Sequence, residues 1–199
     1  RAKMATKDVT MGDDELSQWE AVLADLDSRR SAALAMGGTE RLEPRHRNGV
    51  LDARQRIAVL TDEFVEIGLL AGDAPVNGFV AGVGQVDGRP VAIGAEDFTV
   101  AGGSIGDAES AKRQRLAELA LQERMPLVML LEGAGHRAVA ADAPAGRRSP
   151  GDLMAQADAS GRIPFAAAVL GPSAGHGALS APLADFTVMT TTASIFAAG

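Results

Sequence analysis

Apolar side chains recur at helical spacing in the first part of the chain. Between Met11 and Ala35 they return every three or four positions, with acidic residues at the start and arginines at the end, as a helix dipole favours. The pattern predicts one amphipathic helix from Met11 to Ala35. Residues 43–49 are charged and contain Pro and Asn, which is typical of a connecting loop. Residues 51–60 then predict a second short helix against the main body.

From residue 76 the apolar pattern becomes that of β-structure. Residues 76–86 and 89–95 flank Asp87-Gly88, a strong hairpin signal. Apolar strands and helices then alternate, with helices predicted at 107–124, 151–160 and from 173, and strands at 127–131, 165–170 and 186–189. Continuous apolar strands separated by helices predict an α/β fold with a mostly parallel sheet, whose right-handed crossovers wind the units into a spiral.

Composition excludes several classes of function. The 199 residues contain 19 Lys+Arg and 26 Asp+Glu, a net charge of −7, so nucleic acid is not an expected partner. Without cysteine there are no disulfides and no thiolate metal sites. No apolar run approaches the ~20 residues of a membrane helix, and no secretory signal is visible, so we expect a cytoplasmic protein. The acidic residues form no spaced ligand cluster with the three histidines, and no metal site is expected.

Two glycine turns each follow a predicted buried strand and precede a helix. They are residues 132–137, which read Glu-Gly-Ala-Gly-His-Arg, and residues 171–177, which read Gly-Pro-Ser-Ala-Gly-His-Gly. Turns with few side chains at the carboxyl ends of parallel strands let a ligand approach the backbone, where amides favour negative charge. The two turns therefore predict an oxyanion site, although glycine is also used simply for turn geometry.

Several ordered motifs resemble a known family. They are residues 48–57, 86–91, 97–106, 159–164, 171–175 and 185–189, which read NGVLDARQRI, VDGRPV, DFTVAGGSIG, ASGRIP, GPSAG and DFTVM. Together they look like the carboxyltransferase (β) subunits of biotin-dependent acyl-CoA carboxylases, of the acetyl-/propionyl-CoA carboxylase type. The resemblance covers about three quarters of the chain but only the N-terminal half of those subunits. It implies a crotonase/ClpP-like spiral of ββα units at 48–199, preceded by a helical arm and linker at 1–47.

The resemblance also implies an activity and a site. The family binds acyl-CoA and stabilises its enolate with main-chain amides while carboxybiotin, presented by a carrier protein, supplies the carboxyl group. Those amides correspond to Ala134-Gly135 and Gly175-His176 here, where the family has Gly-Gly pairs. The implied partners are a C-terminal carboxyltransferase half or second subunit, a biotin carboxylase or biotin carrier subunit, and further copies in an oligomer.

Phosphate contacts are harder to assign. The arginines at 54, 56, 137, 147 and 148 are candidates for CoA phosphates, because a guanidinium pairs well with phosphate, although surface solvation is a common alternative. The loop at Gly102 and Gly103 precedes a helix and resembles an anion cradle, but it lacks the lysine of a P-loop. We expect Arg54, Arg56, Arg137, Gly102 and Gly103 to contact the cofactor portion of the substrate.

Three other readings stay open at this stage. Residues 171–175 also fit a G-x-S-x-G nucleophile elbow, so Ser173 with His176 would make a serine hydrolase. A crotonase-type hydratase, isomerase or decarboxylase would use the same oxyanion site with His136 or His176 as acid or base. Finally, the chain would act only as a binding or assembly half-subunit if the absent half completes the site.

Overall fold

In the described part of the chain, three helices precede the sheet. The computed structural model describes residues 13–72, 74–137 and 151–197. Helix α1 spans Asp13–Leu34, α2 spans Thr39–Arg47 and α3 spans Ala53–Leu60. The helix predicted at 11–35 is therefore confirmed over Asp13–Leu34, while its predicted start at Met11 lies outside the described residues. Its apolar Trp19, Val22 and Leu23 are more than half exposed. Within the described ranges, no helix is both long and apolar enough to cross a membrane.

The prediction of a connecting loop at residues 43–49 is wrong. Helix α2 continues through Pro44 to Arg47, and the chain turns only at Gly49, where φ is +70°. Tertiary contacts explain the extra turn, because Arg45 forms an ion pair with Glu132 at 2.7 Å. The local preference of this segment for a loop is weak compared with the stabilisation that such tertiary contacts give to the helix. Since this ion pair joins residues on both sides of position 47, the division into an arm at 1–47 and a domain at 48–199 stays a prediction.

Among the residues that the structure describes, seven strands form one mixed sheet. Their bounds are β1 Phe64–Ile67, β2 Phe79–Val86, β3 Arg89–Glu96, β4 Leu127–Gly133, β5 Phe165–Ala174, β6 Phe186–Met189 and β7 Ser194–Phe196. Their order is β1-β2-β3-β4-β5-β6, and β7 extends the ladder beside the end of β5. The hairpin β2-β3 is antiparallel and turns at Asp87-Gly88 as predicted. From β3 to β6 every pairing is parallel, which confirms the mostly parallel α/β sheet.

The remaining helices connect the parallel strands. They are α4 Asp107–Glu123, α5 Asp152–Ala159, α6 Gly175–Ala178 and α7 Ser180–Leu183, with a 3₁₀ turn at Ala101–Gly103. The helix predicted from residue 173 begins later, because β5 continues to Ala174. The last residues of β5 pair with β7, and Pro172 lies opposite Ser194. The second glycine turn therefore starts only at Gly175, where φ is +55°.

Alternation along the strands fills a core on each face of the sheet. On one face α4 and α5 cover a cluster that includes Leu127, Met129 and Leu131 of β4. On the other face α3 covers a second cluster, to which β4 contributes Leu130. Successive side chains of a strand point to opposite faces, so one apolar strand serves both cores.

Lys112 of α4 is an unusual feature of this core. Its side chain is buried, and Nζ donates to Oδ1 of Asn77 at 3.0 Å and to the carbonyl oxygen of Phe79. Burial lowers the pKa of Lys112 to about 8, assisted by the charge of Arg54 and opposed by the charges of Glu66 and Glu109.

The lowered pKa of Lys112 predicts a pH-dependent stability. Between pH 8 and 10 the unfolded chain keeps this proton and the folded chain loses it, so the folded state becomes more stable as pH rises. We expect the unfolding free energy of the parent, relative to Lys112→Met, to increase by up to about 1.4 kcal/mol per pH unit in this window. Urea titrations at pH 7, 8, 9 and 10 would measure it. A difference that is constant with pH contradicts the assignment.

Candidate active site

The site lies where β4 and β5 end side by side. Gly133 at the end of β4 pairs with Ser173 of β5. The chain leaves β4 through Gly135 and leaves β5 at Gly175. A Cβ on Gly135 would lie 2.7 Å from the carbonyl oxygen of Ala174 and 3.3 Å from the Cα of Gly175. The two turns are therefore in contact. Position 135 requires glycine for two reasons: its φ is +86°, and the adjacent turn leaves no room for a Cβ.

The amides of the two turns differ in whether they are already hydrogen-bonded. The Ala134 amide donates to the carbonyl oxygen of Gly102 at 2.9 Å, which removes it from the free donors that the sequence predicts. The Gly135 amide meets no backbone acceptor in the part of the chain that the structure describes. The amides of Gly175 and His176 open α6, where no earlier carbonyl of that helix can accept them.

The loop predicted as an anion cradle packs behind the first turn. Gly103 has φ +66°, and a Cβ there would come 2.5 Å from the carbonyl oxygen of Glu132. The amide of Ile105 donates to the carbonyl oxygen of Gly135 at 2.7 Å. Gly102 and Gly103 therefore hold the first turn in place. A phosphate contact by either of them stays a prediction.

The side chain of His176 meets the buried carboxylate of Asp152 at the start of α5. Its Nε2 lies 2.8 Å from Oδ1 of Asp152. Burial raises the pKa of Asp152, but the hydrogen bond from His176 and the charge of Arg113 outweigh this effect and lower the pKa below its ordinary value. Asp152 is therefore ionised and accepts the Nε2 proton. The His136 ring lies edge-on to His176, with 5.5 Å between centroids.

Arg113 anchors Asp152 through a fully buried ionic network. Its Nε donates to Asp152 at 2.9 Å, Nη1 donates to Glu96 at 2.9 Å, and Nη2 donates to the Ser180 hydroxyl at 2.6 Å. The second carboxylate oxygen of Glu96 accepts the amide of Glu132 at 2.7 Å. Burial raises the pKa of Glu96 although Arg113 opposes the shift. One guanidinium thus links α4, α5, α7 and β3 behind the two turns.

Glu132 pairs with two arginines just before the first turn. Nη2 of Arg45 lies 2.7 Å and Nη2 of Arg56 lies 2.5 Å from the same carboxylate oxygen. Both Glu132 and Arg56 are buried. The guanidinium of Arg56 is therefore engaged inside the protein. A CoA contact by Arg56 stays a prediction, and it has to compete with a buried ion pair whose disruption is costly.

The other arginines differ in exposure. Arg54 pairs with a carboxylate of β1, and its side chain is 26 % exposed. Arg137 follows the first turn, donates to the carbonyl oxygen of Ser104 at 3.1 Å, and is 45 % exposed. Arg137 is thus the most accessible of the described candidates for a phosphate contact. Two further candidates lie outside the described residues, namely Arg147 and Arg148.

Ser173 does not form a hydrolase site. It lies within β5, is fully buried, and its hydroxyl has no partner in the ranges that the structure describes. A nucleophile elbow instead exposes its serine on a turn beside a histidine base. The hydrogen bond of His176 goes to Asp152. The serine hydrolase reading is therefore wrong, because the required nucleophile faces the interior.

Sequence reasoning missed the ionic network behind the turns. Its charged members are Glu96, Arg113 and Asp152, and the main-chain amide of Glu132 donates to Glu96. The available signal was an acidic residue at or next to the end of each of two otherwise apolar strands, Glu96 in β3 and Glu132 in β4. The neighbouring sequence does not indicate which residues pair with them. Across residues 13–72, 74–137 and 151–197, no three His, Asp or Glu side chains are grouped to hold a metal ion.

Comparison with known proteins identifies the family. Residues 44–199 match the carboxyl transferase domain, which is most of the chain. The chain belongs to the carboxyl transferase family. Its resemblance to the carboxyltransferase subunits of biotin-dependent acyl-CoA carboxylases is thereby confirmed.

Relatives within this family agree in sequence and in fold. The propionyl-CoA carboxylase beta chain of Cereibacter sphaeroides is 33 % identical over 188 residues, covering 84 % of this chain and 35 % of that protein. The transcarboxylase 12S structure with bound methylmalonyl-coenzyme A has a TM-score of 0.74 at 30 % identity, over 90 % of this chain and 38 % of that one. The geranyl-CoA carboxylase beta subunit of P. aeruginosa has a TM-score of 0.82 at 27 % identity, over 100 % and 40 %.

These likenesses confirm the crotonase-like α/β fold expected from the motifs. The chain spans about a third of the length of the curated carboxyl transferase relatives that it matches. It therefore has the fold on which the family builds its site, over only part of the relatives' length.

Proposed function

We propose that this chain contributes the acyl-CoA-binding part of a carboxyltransferase and stabilises the thioester enolate with main-chain amides. One observation carries the proposal: the turns after β4 and β5 touch, and the Gly135 amide lacks a backbone acceptor among the described residues. In α/β sheets ligands bind at the carboxyl ends of the strands. The bound methylmalonyl-coenzyme A named for the transcarboxylase 12S structure supports the substrate class.

The chemistry needs donors rather than a nucleophile. Removing the α-proton of a thioester forms an enolate and places negative charge on the thioester oxygen, and this charge leaves the oxygen when the α-carbon is carboxylated. A preorganised donor aimed at such an oxygen contributes about 3 to 4 kcal/mol in other enzymes. Gly135 provides such an amide from the first turn, and Gly175 or His176 provides it from the second. Gly135 also lacks a side chain that would block the approach of the thioester.

The proposal includes partners and a cofactor. Biotin would arrive as carboxybiotin on a carrier protein, and the carboxyl group would pass from it to the enolate. A C-terminal carboxyltransferase half, or a second subunit, would close the other side of the site. A biotin carboxylase subunit would recharge the carrier. The hexamer assembly named for transcarboxylase 12S supports an assembly of several subunits.

Calorimetric titration tests the proposal directly. Propionyl-CoA should bind about 2- to 10-fold more tightly than S-propyl-CoA, a thioether without the carbonyl oxygen, because only the thioester accepts the amide hydrogen bonds. Adding a matching C-terminal half should tighten both ligands. Equal affinity for thioester and thioether, or no heat at millimolar ligand with both halves present, would contradict the oxyanion site.

A non-catalytic assembly role is the alternative. The exposed apolar side chains of β6, among them Phe186 and Met189, offer a contact surface to another protein segment. In that case the chain would still bind acyl-CoA when joined to its partner. Replacement of Gly135 would then leave carboxyl transfer by the assembled enzyme unchanged.

A further inference from the structure

The second turn carries an imidazole beside the proposed enolate site. His176 directly follows Gly175, so its side chain leaves the backbone at the residue whose own amide borders the site. This side chain is 24 % exposed, whereas its partner Asp152 is completely buried. The imidazole is thus anchored on the protein side and accessible on the other. Main-chain stabilisation of an enolate uses no such group.

The contacts of His176 determine which nitrogen is available. Asp152 receives the Nε donor of Arg113 at 2.9 Å on one oxygen and Nε2 of His176 at 2.8 Å on the other. An ionised carboxylate only accepts hydrogen bonds, so Nε2 carries the proton of the neutral imidazole. Nδ1 then carries the lone pair. In the described part of the chain no hydrogen-bond partner is found for Nδ1.

Charged groups from several elements lie near the His176 ring. Asp152 of α5 faces the ring directly, and Arg113 of α4 and Glu96 of β3 lie behind that carboxylate. Gly177 of α6 packs on the Glu96 carboxylate. His136, after β4, is the other titratable ring nearby. When Nδ1 takes a proton, the new positive charge is next to Asp152, and an aspartate that orients a histidine base stabilises its protonated form in this way.

We propose that His176 exchanges the α-proton of a bound acyl-CoA without carboxybiotin. The α-C–H bond breaks, its electron pair forms the C=C bond of the enolate, the carbonyl π pair moves to the thioester oxygen, and the proton bonds to the lone pair of Nδ1. The reverse transfer returns a proton to the α-carbon, so no oxidant or co-reactant is consumed. Asp152 is a positioning residue that holds the tautomer. The inference rests on the proposed acyl-CoA site and adds a base to it.

The exchange is measured by incubating propionyl-CoA with the protein in D₂O, free of biotin, and following the α-methylene signal by NMR. The parent protein should introduce deuterium. His176→Ala should slow the exchange by about 100-fold or more, as loss of a general base does elsewhere. Added imidazole should restore part of the rate to His176→Ala, which a merely structural defect would not allow. His176→Gln provides a second variant if the alanine variant does not fold.

His46 offers a matched control. Its Nε2 lies 2.9 Å from Oδ2 of Asp52, so it is also a histidine bound to an aspartate, but its described contacts reach neither turn. His46→Gln should exchange at the parental rate. Exchange that is equal in His176→Ala and parent overturns the inference. A parent that binds propionyl-CoA but exchanges nothing overturns it while leaving the proposed function intact, whereas a parent that does not bind the thioester even with a matching C-terminal half present overturns both.

Discussion

Gly135→Ala is expected to lower carboxyl transfer to propionyl-CoA by the assembled enzyme by about 100-fold or more. The added Cβ would lie 2.7 Å from the carbonyl oxygen of Ala174, a distance that real Cβ contacts do not adopt. The two turns must therefore separate, and the Gly135 amide moves away from the position of the thioester oxygen. Loss of one oxyanion donor costs 100- to 1,000-fold in other enzymes. Steady-state kinetics of the reconstituted enzyme would measure the loss.

Gly161→Ala is the matched control for this experiment. Gly161 also has a positive φ, +71°, but a Cβ there would meet nothing within 4 Å. Both variants therefore carry the conformational cost of a left-handed alanine, about 1 kcal/mol, and only one disturbs the turns. Urea unfolding would place both on the same stability scale. If the two variants lose the same activity, the contact between the turns has no part in catalysis.

Arg113→Met is expected to reduce the free energy of unfolding by about 3 to 5 kcal/mol. Arg113 is fully buried and is the shared partner of Glu96 and Asp152, so methionine leaves two buried carboxylates without their cation. Methionine fills much of the same volume, which makes lost charge pairing the main change. The cost should be smaller at pH 5 than at pH 8, because protonation neutralises unpaired carboxylates. Urea denaturation at both pH values would measure it.

Arg115→Met serves as the comparison on the same helix. Arg115 is exposed on α4, two residues from Arg113, so the same substitution there removes no buried ion pair. Its effect on the free energy of unfolding should stay within about 0.5 kcal/mol. If both variants are destabilised equally, helix propensity rather than the buried network accounts for the result. A loss for Arg113→Met below 1 kcal/mol would likewise count against the network.

The pattern of apolar residues predicted the sheet and its principal connections closely. Helix α4 was expected at 107–124 and spans Asp107–Glu123, while β6 was expected at 186–189 and spans Phe186–Met189. This agreement arises because the apolar residues are regularly spaced and the element ends carry clear sequence signals. Met125-Pro126 ends a helix, and Asp87-Gly88 forms a hairpin turn. The strands β1 and β7 were not predicted. Both are short edge strands whose pairing depends on a distant partner.

Parts of the site depended on contacts that sequence does not display. The glycine turns were predicted, and so was their position at the ends of neighbouring parallel strands. The loss of the Ala134 amide to the Gly102 carbonyl was not, because it depends on how the loop before α4 folds back on β4. The ion pair that engages Arg56 inside the protein was not predicted either, because its partner Glu132 lies far away in sequence.

The sequence by itself therefore determined the family, the alternation of strands and helices, and the two glycine turns, since each follows from local periodicity, turn chemistry or ordered motifs. Only the tertiary structure decided which amides stay available, that Ser173 is buried, and that His176 rests on a carboxylate held by Arg113. The physical reason is that hydrogen bonds and ion pairs between distant segments form only after the sheet has brought the strand ends together. A local pattern contains the donors and acceptors but not their pairing.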